Sequence, residues 1–224
     1  MGYQTTDRQL DIVQLLKYGW ETYRVYLSFM IGIMITYVVV GVIPQISFSL
    51  YEPEITSWGQ QIFSVILHIL QIWIAVVLIK VSLLMIDDRL EGAHDLLTSL
   101  QVILIYFVTN ILFIIMVLIG FLLLVVPGVY LYLRYQFFSY RIVEGELNPL
   151  KALMWSWYQT EDLALELFLF EMVVIGINLA GLLMLGVGLL VSYPVTSLSK
   201  ALIYRSLTLD HAIIPSAPYI VQEP

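Results

Sequence analysis

The residues best placed to do chemistry in this sequence are polar and ionisable side chains set inside apolar runs. Near the C-terminal end, Tyr193, Ser197, Lys200 and Tyr204 follow one another at intervals of four, three and four. On a helix they form one polar stripe. The preceding apolar segment holds Glu166, Glu171 and Asn178, and an earlier one holds Tyr130, Arg134 and Arg141. An ionisable group in hydrocarbon is costly to place, so it marks a partner or a function by default. At about 1.5 Å per helical residue, Glu171 and Arg134 sit roughly 15 Å from the cytoplasmic ends of their helices and Lys200 roughly 10 Å. Matched depth pairs Glu171 with Arg134 or Lys200. We take Arg134, Glu166, Glu171, Lys200 and Tyr204 as a candidate intramembrane polar network, and Ser64, His68 and Gln71 as a second polar stripe. Such a network either orients helices through ion pairs or lines a cytoplasm-facing cavity for a lipid headgroup or anionic solute.

Other chemistry finds little support. There is no HExxH, P-loop or GxSxG motif, no nucleophile–base pair and no paired-acid signature. No cysteine is present, which removes disulfides, CxxC redox chemistry and thiolate metal sites. His68, His94 and His211 are scattered, and His94-Asp95 has no second ligand cluster, so no metal or cofactor is expected. Asp87-Asp88 reads as a solvated helix end. A basic nucleic-acid footprint is absent.

These side chains must be positioned by membrane-spanning helices. Of 224 residues, 60% are apolar and 12% charged, against roughly 45–50% and about 25% in soluble domains. Each span needs roughly 20 apolar residues, so six spans and their connectors use nearly the whole chain and leave no room for a separate catalytic domain. The pattern predicts one all-α domain over residues 1–208, with spans at about 27–48, 58–86, 100–125, 128–143, 161–185 and 189–207. They form three hairpins, each preceded by an amphipathic interfacial helix, at 7–25, 89–99 and 149–159. The first opens on a Thr6–Gln9 capping box and carries Leu10, Val13, Leu16, Trp20, Tyr23 and Leu27 on one face. Pro44 predicts a kink or exit, Pro127-Gly128 a hairpin turn, and Asn148-Pro149 a helix start. Gly176 and Ala180 form a small-xxx-small packing pair. Residues 209–224 read as an extended cytoplasmic tail, and the polar first 25 residues do not read as a cleaved signal peptide.

Orientation follows from Lys and Arg. With the N-terminus inside, all ten fall in cytoplasmic segments or cytoplasmic halves of helices, and the three external loops hold none. The net charge of −7 matters less, because acidic residues contribute little to orientation. Both termini are expected in the cytoplasm.

Three stretches carry a resemblance. They are Leu122–Leu131 with Pro127-Gly128 and a following Arg134; Ala152-Leu153 with Ser156-Trp157 and Thr160; and Gly186–Pro194 with Tyr204-Arg205-Ser206-Leu207. Over about residues 90–208 they resemble a family of uncharacterised bacterial integral membrane proteins, some of whose relatives form the membrane domain of glycerophosphodiester phosphodiesterases. The resemblance implies a six-helix module of the bacterial cytoplasmic membrane and no reaction, since the phosphodiesterase domain has no counterpart here. The leading expectation is a non-enzymatic membrane module, a scaffold or accessory subunit. The alternative is a small transporter or channel using the charged cytoplasmic half as its site. Expected partners are membrane lipids, with other membrane subunits or a second copy of the chain.

Overall fold

The structure, a computed structural model, describes residues 10–44, 46, 58–184 and 186–208. These residues form helices and short connections, with no strand among them. Helix α1 (Ile12–Val25) starts at Asp11, whose carboxylate accepts the Gln14 N–H at 3.0 Å. The Thr6–Gln9 box lies outside the described residues. After Tyr26 the chain bends by 92° into α2 (Leu27–Tyr37) and a π-helical turn, Val38–Val42. Pro44 explains that turn: it offers no N–H to Val40, and the ladder widens so that Ile43 N–H bonds Val38 O.

Helix α3 (Trp58–Ile86) matches the expected second span. The expected interfacial helix at 89–99 does not form. Asp88 takes a positive φ of 53°, and only a 3-10 turn, Ala93–Leu96, follows. The Asp95 carboxylate accepts the N–H groups of Glu91 (2.9 Å) and Gly92 (3.2 Å), offering the backbone an alternative to a helical ladder.

Helix α4 (Leu100–Leu123) is capped by Ser99, and the chain reverses at Leu124 alone, in an extended conformation. The hairpin turn therefore precedes Pro127-Gly128. Pro127 sits in the first turn of α5 (Val125–Tyr135), where its missing N–H costs nothing. Gly128 instead lets two helices close: a Cβ on Gly120 would fall 2.9 Å from Gly128 Cα. The expected single span at 128–143 is broken, with α6 (Phe138–Val143) restarting after Gln136-Phe137. Helix α7 (Pro149–Gln159) begins as expected, the Asn148 side chain accepting from Leu150 and Lys151 N–H. Helix α8 (Ala164–Leu183) turns at Gly186 (φ 77°) into α9 (Leu189–Thr208).

Gly176 and Ala180 do not make the expected close packing. Both are exposed, and the close approach falls at Gly181, where a Cβ would meet Ser192 Oγ at 2.6 Å. On α1 the buried face is Leu15, Tyr18, Gly19, Thr22 and Tyr23, while Val13 and Trp20 of the expected apolar face point outward. Gly19 sets that choice, because it brings α1 against Val195 and Ser199 of α9. The helix is thus apolar on two sides, one for the bundle and one left outside.

Three helices are long and apolar enough to cross a membrane, at Gln61–Ile86, Leu100–Leu123 and Ala164–Leu183; the bent pair α1–α2 makes a fourth if taken as one span. Helix α9 is not among them, because Ser192, Thr196, Ser199 and Lys200 make it polar. It is instead the buried centre, with α1, α2, α3 and α8 around it. Helices α4 to α7 form a second group, joined to the first through α4 and α6 on α3 and α5 on α8.

Candidate functional site

The polar stripe of α9 meets α8 as an ion pair, Lys200 Nζ to Glu171 Oε1 at 2.7 Å. The Glu171 side chain is 7% exposed and that of Lys200 24%. The Tyr132 hydroxyl lies beside the same ammonium. Of the two cations that depth alone allowed, rotation about the helix axis selects Lys200. Arg134 is fully buried on the other side of α5, its guanidinium 4.2 Å from the centre of the Trp157 ring and 5.6 Å from that of Tyr130. Its Nη1 donates to Thr160 O at 3.1 Å. Glu166 is half-buried in the first turn of α8 and joins no ion pair among the described residues.

Tyr204 belongs to a separate cluster. Its hydroxyl donates to the Glu144 carboxylate, which also pairs with Arg205, and Arg205 reaches Asp87 at 2.5 Å. Tyr140 stacks on the Tyr204 ring at 5.2 Å and Trp155 tilts against it at 5.1 Å. This cluster ties the ends of α3, α6 and α9 together. Asp87 is therefore an ion-pair partner and not a solvated helix end; Asp88 accepts the Tyr26 hydroxyl at 3.0 Å. The expected single network is in fact the Lys200–Glu171 pair, the Arg134 stack and the Arg205 staple.

The break in α5–α6 is held by α7. Leu133 O accepts from the amide of Gln136 at 3.2 Å. Arg134 O accepts hydroxyl bonds from Ser156 (2.8 Å) and Thr160 (3.0 Å), and Phe137 N–H donates to Ser156 Oγ at 3.2 Å. Backbone groups freed by a helix break in apolar surroundings need other partners within the protein. Two hydroxyls one turn apart on α7 supply them here.

That break forms one wall of a cavity of about 280 Å³. Gln136 comes from the break, Phe138, Ser139 and Tyr140 from α6 just after it, Tyr106, Asn110 and Phe113 from α4, and Tyr132 from α5. Ala75, Leu78 and Ile79 of α3 and Val174 and Asn178 of α8 add to it. Helix α9 contributes Tyr193, Thr196, Ser197 and Lys200. Asn178 is engaged by α9, accepting from Ser192 Oγ at 2.9 Å and donating to Thr196 Oγ1 at 3.4 Å. Ser197 pairs with Ser82 of α3 at 3.4 Å. Tyr193, 49% exposed, stands where the cavity reaches the exterior. Of the expected network only Lys200 lines this cavity, with Glu171 behind it.

The second stripe is divided. Ser64 and His68 lie exposed on the N-terminal half of α3, His68 Nδ1 2.7 Å from Ser64 O. Gln71 turns inward and donates to Gly41 O, in the π-helical turn, at 3.0 Å. The lining residues that sequence reasoning passed over carried a signal: Tyr132, Gln136 and Tyr140 recur every four residues. Among the described residues no group of three or more His, Asp or Glu side chains could hold a metal ion. No family model, curated protein or solved structure matches this chain.

Proposed function

We propose that the chain is a non-enzymatic integral membrane module that binds a small polar ligand, a lipid headgroup or solute, in the cavity between α4 and α9. The observation that carries this reading is a cavity lined by hydroxyls, amides and one ammonium, three of whose walls are helices apolar enough to cross a membrane, α3, α4 and α8. Polar groups lining a cavity in such surroundings are costly unless water or a ligand satisfies them, which fits a polar binding site. The proposal includes six spans in a bacterial cytoplasmic membrane with both termini inside, which the Lys and Arg distribution and the family resemblance support. Lipids are its first partners, and further membrane subunits or a second copy its second.

One observation favours transport as the second reading. Discontinuous helices line the sites of many transporters, and the α5–α6 break forms a cavity wall. Mass spectrometry of the protein purified in native lipid tests the main reading. A retained lipid or solute that is lost in Asn110→Leu combined with Tyr193→Phe is the expected result. A protein that carries nothing in its cavity and copurifies only with a stoichiometric subunit would instead make it a scaffold. For topology, tags at residues 2 and 220 should be shielded in intact cells and one beside Glu54 exposed; labelling of either terminus from outside would overturn six spans.

A further inference from the structure

We infer, on the reading of the cavity as a binding site, that its ligand is an uncharged, hydroxyl-rich group: the headgroup of a neutral glycolipid, or a free polyol of the same chemistry. The first argument is charge. Lys200 is the one charged residue among those lining the cavity, and Glu171 already holds it at 2.7 Å. An anion entering here must take Lys200 from a buried carboxylate and leave that carboxylate unpaired, while a cation meets the ammonium itself. The compensated pair leaves the cavity without net charge, which sets aside the anionic solute expected from sequence.

The second argument is hydrogen-bonding capacity. The hydroxyls of Tyr106, Tyr140 and Tyr193 and the amide of Asn110 make no hydrogen bond among the described residues, and all four face the cavity. Tyr140 is the most buried of the four, 6% exposed, so its hydroxyl is reached through the cavity. Each of these groups both donates and accepts. An ionised carboxylate or a phosphodiester only accepts; a hydroxyl-bearing ligand answers both roles. The third argument is shape. Phe113 lies between Phe138 (5.2 Å) and Tyr132 (6.1 Å), with Tyr106 6.2 Å from Phe138, so rings form one continuous wall. A sugar-like ring offers an apolar C–H face to such a wall and hydroxyl edges to the opposite side. The volume of about 280 Å³ is at the small end of ligand pockets, enough for one ring or a short polyol.

The test uses the full chain in phosphatidylcholine nanodiscs doped equally with monoglucosyl diacylglycerol and phosphatidylglycerol, read by native mass spectrometry. A parallel arm measures thermal stabilisation by free glucose against inorganic phosphate. Retention of the glucolipid at least tenfold over phosphatidylglycerol is expected, falling about tenfold in Asn110→Leu/Tyr193→Phe. Stabilisation by glucose without glucolipid retention would support the same chemistry from a soluble source. Glu171→Gln, which frees Lys200, should raise phosphatidylglycerol retention; where that variant does not fold, the Asn110/Tyr193 variant carries the test. Wild-type preference for phosphatidylglycerol or phosphate, lost in that same variant, would overturn the uncharged ligand and leave the binding site standing. No retention or stabilisation by any of the four probes would overturn both.

Discussion

Ser156→Ala tests whether the broken helix is held by α7. Ser156 is fully buried, and its hydroxyl donates to Arg134 O and accepts from Phe137 N–H. The two losses are unequal. Arg134 O keeps its bond from Thr160 Oγ1 at 3.0 Å, whereas no other bond is seen for Phe137 N–H. An interhelical side-chain bond in a membrane averages about 0.6 kcal/mol, because the alternatives usually find partners. A buried donor left without any costs about 1–3 kcal/mol. The orphaned amide decides the sum, and we expect a loss of about 2 kcal/mol. The assay is reversible unfolding in lipid–detergent micelles, with hydrogen exchange of the Phe137 amide as the local readout. Thr160→Val should cost less, since Arg134 O then keeps Ser156. Wild-type stability in Ser156→Ala together with unchanged exchange at Phe137 would refute the reasoning.

Three further outcomes follow from the same structure. Glu171→Gln should destabilise the protein by up to about 3–5 kcal/mol, and Glu171→Leu with Lys200→Met should recover most of it, because a pair removed whole leaves no stranded charge. A double variant no more stable than the single one would argue against this. Gly120→Ala places a Cβ 2.8 Å from Leu131 Cδ1 and 2.9 Å from Gly128 Cα, so the α4–α5 hairpin should lose about 1–3 kcal/mol in thermal unfolding; no loss would mean the hairpin is not close-packed there. The backbone N–H of Glu91, then that of Gly92, holds the Asp95 carboxyl below the usual carboxylate range. A depressed folded-state value means the 89–97 turn is fully anchored above about pH 4 and loosens as pH falls through that value. Amide exchange at Glu91 should rise on acidification in wild type and be fast at neutral pH in Asp95→Ala.

Composition and local pattern determined a good deal by themselves. Apolar runs the length of a bilayer give α3, α4 and α8 nearly at their expected bounds, because the period and length of a buried helix are local properties of the chain. The Asn148-Pro149 start is equally local, a side-chain oxygen meeting N–H groups two and three residues on. What depended on rotation about a helix axis, or on a neighbour from elsewhere in the chain, was decided only in three dimensions. Depth admitted either Arg134 or Lys200 as the partner of Glu171; packing turned Arg134 onto Trp157 and Lys200 onto Glu171. Pro127-Gly128 marks a turn by residue type, yet the hairpin reverses at Leu124 and the unannounced break falls at Gln136-Phe137, which holds neither Pro nor Gly. Its cause is carried by Ser156 and Thr160, some twenty residues away, whose hydroxyls take the place of ladder bonds. The cavity follows for the same reason: its walls come from six helices and the break between two of them, and no single stretch of sequence contains more than a fraction of it.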